Sequence, residues 1–398
     1  MPFDFYLYLA SRFFSACAGT LLRASLAWHV FELTHSPFHL GLIGIVQFVP
    51  QMALLLVGGA VADSFDRRRI INASQLVLVT MGATLFVLTR DGTLSLPVLY
   101  ALAALQAAAL SFEQPARVAL LPALVPRERF PRAVTISSTN QALAFATGPA
   151  VGGIIIASLG IAAAYAAYLS LLTLAFVCVL VLKSGGNAPG TARNPVSLAA
   201  VHEGLSFVLK QPVILGCMSL DMFAVIFGGA TALLPVYAKE ILAVGPTGYG
   251  MLTSSLEVGA LAMAAFLMMR RPIVRAGRAL LVAVAVFGVA TIVFGVSRSF
   301  PLSLAAYAVC GMADQVSVVM RSTAVQLQTP DALRGRVSAV SMLFIGASNQ
   351  LGAAESGFVA AFTTPTFAVV SGGVGCLIVL AIVAYAAPAL RGYRIERA

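Results

Sequence analysis

Ionisable side chains stand inside several of the long apolar runs of this 398-residue sequence. Glu113 and Arg117 are four residues apart, a spacing that suits an ion pair on one face of a helix. Asp314 and Arg321 are seven residues apart and also share a helical face. Asp221 has no basic neighbour in its own apolar run. Such groups form ion pairs, bind polar molecules or exchange protons.

Two interpretations of these charges remain open. A charge at the centre of a bilayer costs about 2.5 kcal/mol or more, so it faces a partner or an aqueous cavity. In the first interpretation the charges form a static network of ion pairs. In the second, a buried carboxylate titrates as its surroundings alternate. We leave both open for Glu113 and Arg117 and favour proton coupling for Asp221.

The cost of placing charged and polar side chains in a bilayer also identifies candidate functional residues. The proton-coupling candidates are Asp221, Glu113 and Asp314, with Glu257 and Glu355 as further carboxylates in apolar runs. The candidates for lining a substrate cavity are polar side chains at membrane depth, namely Arg12, Arg23, Arg117, Arg321, Gln47, Gln51, Gln114, Asn140 and Asn349.

The composition places these residues in a membrane protein. The chain is 60% hydrophobic and 10% charged, whereas ordinary soluble domains carry about 25% charged residues. About 20 apolar residues cross a bilayer as a helix. We predict twelve helical spans at 5–33, 38–62, 70–89, 96–121, 133–158, 161–182, 212–238, 247–269, 279–297, 301–327, 337–362 and 366–388.

Basic residues are distributed unequally between the predicted loops. With both termini cytoplasmic, eighteen Lys and Arg residues fall on the inside and three on the outside. This bias is typical of cytoplasmic loops. It predicts a multi-pass protein of the cell inner or plasma membrane with both ends in the cytoplasm.

The sequence argues against several other classes of protein. The net charge of +10 comes from loop arginines between apolar runs, which argues against nucleic-acid binding. The five cysteines lie within apolar runs without a CxxC pattern, so we expect neither a metal site nor a disulfide framework. No GxxxxGK[ST] motif occurs, so this chain is not expected to hydrolyse ATP.

The longest polar connection divides the chain in the middle. We predict an N-terminal six-helix half at 1–183, a linker with a short amphipathic helix at 184–211, and a C-terminal six-helix half at 212–398. Matching residues recur at an offset of 204. The matched pairs are Arg117 and Arg321, Pro126 and Pro330, Arg132 and Arg336, Gly148 and Gly352, and Gly153 and Gly357.

Three motifs carry a resemblance to a known family. Gly59-x-x-x-Asp63-x-x-Asp66-Arg67-Arg68, between spans two and three, resembles the signature loop of the major facilitator superfamily. Gly148-Pro149-Ala150-Val151-Gly152-Gly153 in span five resembles the core of its antiporter motif. Pro330 to Val337 resembles the loop before span eleven in the enterobactin-exporter and macrolide-efflux-like branch, the transmembrane secretion effectors.

The resemblance implies a fold and a gate. It implies an all-α membrane protein of two pseudo-symmetric six-helix halves, with spans one, four, seven and ten around a central cavity. It also implies that the loop aspartate docks on the start of span eleven and that Arg67 and Arg68 pair with acidic groups. The expected gating residues are Gly59, Asp63, Asp66, Arg67, Arg68, Glu128, Arg334, Gly335 and Arg336. The expected helix-packing motif is Gly148, Pro149, Gly152 and Gly153.

The resemblance also implies a function. We expect a secondary active transporter, not an enzyme, that exports an amphiphilic small molecule such as a siderophore or drug-like compound. Alternating access and exchange for protons are expected, in a monomer without cofactors. A lysophospholipid or lipid flippase, a solute importer of the same fold and a non-transporting membrane receptor remain alternatives. Charges in all four expected cavity helices favour transport over a receptor.

Overall fold

The structure is a computed structural model that describes residues 2–183, 198–270, 273–330 and 333–395. Helices joined by short turns fill these ranges, and no strand occurs within them. In the same ranges, twelve helical segments are long and apolar enough to cross a membrane. The prediction of an all-α membrane protein with twelve spans is confirmed.

The first six long helices precede the central connection. They are α1 (Phe3–Thr34), α2 (Pro37–Ser64), α3 (Arg67–Arg90), α4 (Leu96–Leu124), α5 (Phe130–Leu159) and α6 (Ile161–Val181), with a 3-10 turn at Arg127–Arg129.

Capping residues explain where helix α3 begins and where helix α5 ends. The Asp66 side chain caps the start of α3, as short acidic side chains do. Gly160 ends α5 with φ 82°, a left-handed conformation that glycine adopts without strain.

The remaining helices follow the connection. They are α7 (Leu198–Lys210), α8 (Pro212–Gly228), α9 (Leu234–Val236), α10 (Gly245–Met269), α11 (Ala276–Val296), α12 (Phe300–Gln328), α13 (Arg334–Phe362), α14 (Pro365–Ala386) and α15 (Pro388–Gly392). A 3-10 turn at Ala230–Leu233 and a π-helical turn at Tyr237–Ile241 flank α9.

The span that contains Asp221 is broken. It runs from Pro212 to Ile241 but passes from α8 through the 3-10 turn, α9 and the π-helical turn. Gly228 and Gly229 lie at the first break, and Pro235 lies in α9. Glycine pairs and proline are common causes of helix kinks, and proline removes one helical hydrogen bond. Asp221 lies in α8, before the break.

The chain forms two compact units. One contains Met1–Leu33 and Val46–Ser197, and the other contains Thr34–Ile45 and Leu198–Ala398. The first part of α2 therefore packs with the second unit, where a Cβ added to Gly41 would lie 2.9 Å from the Ala354 carbonyl oxygen. The amphipathic segment of the linker contains α7, whereas residues 184–197 lie outside the described part of the chain. The domain limits 1–183, 184–211 and 212–398 stay a prediction.

Glycine allows close packing in the second unit. Helix α12 presents Gly311 to the backbone of α10, where an added Cβ would lie 2.7 Å from the carbonyl carbon of Leu256. Backbone atoms cannot yield as a flexible side chain can, so this approach needs the missing Cβ. Gly19 in α1 is a contrasting case, because a Cβ there meets no described atom within 4 Å.

Gly311→Ala is therefore expected to lower the free energy of unfolding by about 1–3 kcal/mol, the usual cost of overpacking. Gly19→Ala serves as the matched control and is expected to be neutral or stabilising by up to about 1 kcal/mol, because alanine favours the helix. Equilibrium unfolding in mixed micelles, followed by circular dichroism, measures both changes. Equal stability of the two variants would contradict the packing described for α10 and α12.

Candidate functional site

The Glu113–Arg117 pair is buried in the first unit. Both residues lie in α4, with Nε of Arg117 2.6 Å from Oε1 of Glu113. Glu113 is 0% exposed and Arg117 is 3% exposed. The spacing of four residues thus places both groups on one face of α4, as expected.

Three further polar side chains converge on this pair. Ser15 of α1 donates to Oε1 of Glu113 at 3.3 Å, and Gln75 of α3 donates to the same oxygen at 3.4 Å. Both terminal nitrogens of Arg117 donate to Oγ of Ser11 at 3.3 Å. Oε2 of Glu113 has no hydrogen-bond partner among the described residues. The pair is therefore held by three helices, α1, α3 and α4.

A second arginine of the first unit is held next to this network. Arg12 donates to the hydroxyl of Tyr8 at 2.9 Å and to the side-chain oxygen of Gln141. Tyr8 in turn donates to the main-chain oxygen of Arg117 at 3.2 Å. With Glu113 and Arg117, Arg12 leaves this cluster with one positive charge in excess. Sequence reasoning did not select Tyr8 for the site, although Tyr8 and Arg12 stand four residues apart on one face of α1.

The second unit contains a different cluster around Arg321 of α12. Nε of Arg321 lies 3.4 Å from Oδ1 of Asp221 of α8, but this nitrogen forms no hydrogen bond with the described residues. Ser317 donates to the same carboxylate oxygen at 3.4 Å. Asp221 is 6% exposed and Arg321 is 5% exposed. The contacts in this pair are longer than the 2.6 Å contact of Glu113 with Arg117.

More carboxylates lie near this arginine. Asp314 interacts electrostatically with Asp221, Arg321 and Glu257, and it forms no hydrogen bond with the residues that the structure describes. Asp221, Asp314 and Ser317 line one cavity of about 10 Å³, about the volume that one water molecule requires. If Asp221 and Asp314 are both ionised, these two carboxylates and Arg321 together carry one negative charge in excess.

The other candidate cavity residues are more dispersed. In the first unit, Gln47 donates to Gln106 at 3.5 Å, and Asn140 donates to the main-chain oxygen of Leu9 at 2.9 Å. Asn349 of α13 bonds the Ile345 carbonyl of its own helix. Of the rest, Gln51 is half-buried, whereas Gln114 and Arg23 are exposed. In the described ranges, none of these side chains bonds to the Glu113–Arg117 pair or to the Asp221–Arg321 pair.

The signature loop is held by main-chain contacts. Asp66 accepts from the N–H groups of Arg68 at 2.9 Å and Arg69 at 3.1 Å. Arg67 donates to the carbonyl of Ala119 at 3.0 Å, and Arg68 donates to that of Lys183 at 3.1 Å. The guanidinium groups therefore bond to carbonyl oxygens, which have spare lone pairs, and neither forms an ion pair with a carboxylate that the structure describes.

The other gating candidates lie at helix ends. Glu128 is exposed in the 3-10 turn before α5, and Gly59 is half-buried in α2. The side chain of Asp63 lies outside the described part of the chain. Arg334, Gly335 and Arg336 form the first turn of α13. There Arg336 forms an ion pair with Glu203 of α7.

The glycine motif of α5 packs on α1. A Cβ added to Gly148 would lie 2.7 Å from the Cys17 carbonyl oxygen, and one added to Gly152 would lie 3.2 Å from Cγ of Leu21. Pro149 and Gly153 are also buried. The motif therefore allows a close helix contact within the first unit. No group of His, Cys, Asp and Glu suited to a metal ion occurs in the described ranges.

Arg117→Met is expected to destabilise the protein by about 3–5 kcal/mol, because it leaves Glu113 as an unpaired buried charge. Adding Glu113→Gln to this variant is expected to restore most of the stability that Arg117→Met loses. Arg129→Gln, an exposed control, is expected to change stability by less than about 0.5 kcal/mol. Unfolding in mixed micelles measures all three, and an additive double variant would contradict a buried ion pair.

Comparison with known proteins identifies the family. The transmembrane secretion effector family matches residues 5–392. The chain is 26% identical over 387 residues to the enterobactin exporter EntS of Escherichia coli O1:K1 / APEC, covering 96% of this chain and 92% of that protein. It is 25% identical over 390 residues to EntS of Escherichia coli O139:H28 (strain E24377A / ETEC), with the same coverage.

Solved structures share the fold. A POT family transporter in complex with 5-aminolevulinic acid has a TM-score of 0.79 at 11% identity, covering 98% of this chain and 97% of that one. A bacterial homologue of the human lysosomal transporter Spinster, inward-facing and unoccupied, has a TM-score of 0.69 at 15% identity, covering 100% of both chains. The predicted family and the transporter fold are confirmed. The chain belongs to the transmembrane secretion effector family of the major facilitator superfamily and is a multi-pass membrane transporter, not an enzyme.

Proposed function

We propose that this protein exports an amphiphilic small molecule of the siderophore or drug-like class in exchange for protons. Relatives named as enterobactin exporters, which align over 96% of the chain, support export and the siderophore class. We place the protein in the inner or plasma membrane as a monomer with both termini in the cytoplasm. The excess of Lys and Arg in the predicted inner loops supports this orientation.

The observation that carries proton coupling is the charge imbalance in the second unit. Asp221 and Asp314 line one small cavity and interact with one guanidinium group, that of Arg321. Like charges at close range disfavour simultaneous ionisation. Uptake of one proton by this carboxylate pair therefore leaves one negative charge opposite one positive charge. Glu257 also interacts electrostatically with Asp314.

The loose contact of Asp221 fits a group that changes partners. Its contacts with Arg321 and Ser317 are both 3.4 Å, at the long end of hydrogen-bond geometry. The break in the span after Gly228 lies two helical turns beyond Asp221. In the proposed cycle Asp221 and Asp314 share a proton in one state, and Arg321 neutralises the remaining carboxylate.

The first unit is proposed to have a different role, in which Glu113 and Arg117 form a static pair and Arg12 binds substrate. Glu113 is neutralised by Arg117 at 2.6 Å and held by donors from α1 and α3. We therefore favour a static role for this pair. The positive charge in excess, from Arg12, is suited to acidic or phenolic oxygens of a substrate. Gln141 and Tyr8 fix the position of that guanidinium group.

The gate is proposed at the signature loop. Asp66, Arg67 and Arg68 anchor the loop to its own unit through α3, α4 and the end of α6. We propose that Asp63 closes the cytoplasmic side by docking at the start of α13, as the family resemblance implies. That docking is not described by the structure, because the Asp63 side chain lies outside its described part.

Asp221→Asn is expected to abolish export that is driven by a pH gradient, because an amide cannot take up the coupled proton. The assay loads proteoliposomes with a siderophore or drug-like dye, imposes a pH gradient and follows substrate flux with and without a proton uncoupler. The wild type is expected to lose its concentrative flux with the uncoupler, whereas Asp221→Asn shows none in either condition.

Asp91→Asn is the control for this assay. Asp91 is an exposed carboxylate at the end of α3, and its variant is expected to transport as the wild type does. Gradient-driven flux by Asp221→Asn at the wild-type rate would refute its coupling role. Binding of a compound without flux in the wild type would instead support a receptor.

A further inference from the structure

An open apolar groove lies on the second unit between α10, α11 and α12. Its volume is about 590 Å³, within the range of small-molecule sites. Its walls are formed mainly by aliphatic side chains, including Met263, Val282, Val286, Val309, Met312 and Val316. Val282 is 62% exposed and Val286 is 41% exposed. The groove is therefore open to the surroundings of the spans, which in a membrane are lipid chains.

Two arginines stand at one end of this groove. Arg275 and Arg278 both line it, and both are exposed. Neither forms an ion pair with any residue that the structure describes. Arg270, at the end of α10, lies with its guanidinium carbon 4.9 Å from the ring centre of Phe266. Among the described residues, this end of the groove thus has two positive charges without an ion-pair partner.

The position of the arginines along the spans matches the headgroup region. Helix α10 ends at Met269 and helix α11 begins at Ala276, so Arg275 and Arg278 lie where the apolar spans end. Arg278, Val282 and Val286 follow one another at intervals of four residues on one face of α11. At about 1.5 Å per residue, Val286 lies about 12 Å deeper than Arg278. A positive end and an apolar channel of this length are complementary to a negative headgroup and an acyl chain.

We propose that this groove binds one anionic phospholipid of the surrounding bilayer. Its phosphate lies between Arg275 and Arg278, and an acyl chain follows Val282 and Val286 into the groove. Basic pockets between membrane helices bind the headgroups of anionic lipids in this way. The site depends on the membrane placement of the chain and not on the proposed substrate or proton coupling. In the proposed orientation the lipid belongs to the cytoplasmic leaflet.

The bound lipid lies close to the carboxylate cluster. Ala283 and Ala313 line both the groove and the small cavity that contains Asp221 and Asp314. These two alanines therefore lie between the groove and the proposed coupling site. An occupied groove excludes water from this side of the cluster.

The test is native mass spectrometry of the full chain, titrated in detergent with phosphatidylglycerol or with phosphatidylcholine of the same acyl chains. The wild type is expected to retain phosphatidylglycerol preferentially. Arg275→Gln with Arg278→Gln is expected to weaken this binding roughly 30-fold, about fivefold for each arginine. Arg127→Gln with Arg129→Gln, which removes two exposed arginines of the first unit, is the matched control and is expected to retain it.

Val282→Trp gives a second test that leaves the arginines in place. It fills the groove and is expected to weaken retention of both lipids, whereas Val289→Trp, at an exposed position of α11 outside the groove, leaves retention unchanged. Inorganic phosphate alone is not expected to compete with the lipid. Equal retention of the two lipids by the wild type, equal losses in the two double-arginine variants, or full retention by Val282→Trp would each overturn the proposal.

Discussion

Every ionisable group in a membrane-spanning helix has to be neutralised close to where it lies, because lipid does not solvate charge. The described spans meet this constraint in two ways. In the first unit, one carboxylate and one guanidinium group stand 2.6 Å apart on a single helix, and polar side chains of α1 and α3 complete the network. In the second unit, Asp221 lies 3.4 Å from the guanidinium group of Arg321, and Asp314 interacts electrostatically with the same group. In the proposed coupling, a proton neutralises the carboxylate that Arg321 does not.

The need to satisfy polar and charged groups within the membrane also accounts for the glycine contacts, the broken span and the loop arginines. Small residues bring helix backbones together where polar groups must meet, as Gly148 of α5 does against α1. The break after Gly228 interrupts the span that holds Asp221, and interrupted helices are tolerated where protein or a water-filled cavity surrounds them. At the membrane surface, the arginines of the signature loop satisfy main-chain carbonyls. These contacts hold the loop rigidly to its own unit.

The sequence predicted most of the fold because hydropathy and helix length are local properties. The span predicted at 161–182 is the helix Ile161–Val181, since no charged residue and no proline or glycine lies between its ends. The same locality predicted that Glu113 and Arg117 share one helical face, because four residues are about one turn. Helix 212–238 was less well predicted, since its break depends on two glycines and one proline whose effect varies with packing.

Contacts between helices were not predictable in the same way. Asp221 and Arg321 are 100 residues apart, and the spacing of Asp314 and Arg321 suggested a different partner for that arginine. Ser11, Ser15 and Gln75 are polar residues within predicted spans, but nothing in the sequence identifies them as partners of Glu113 or Arg117. Arg67 and Arg68 were expected to pair with carboxylates, but both guanidinium groups donate hydrogen bonds to main-chain carbonyls. Each case depends on which helices pack together.

We propose that a proton neutralises the carboxylates around Arg321, whereas Glu113 is neutralised by Arg117, which lies 2.6 Å away. Infrared difference spectroscopy of the protein in lipid, recorded during a pH titration, measures the stretching band of protonated carboxyl groups directly. A titrating band is expected in the wild type, and it should be lost in Asp221→Asn with Asp314→Asn and retained in Glu113→Gln. A band that survives in the first variant and disappears in the second would contradict it.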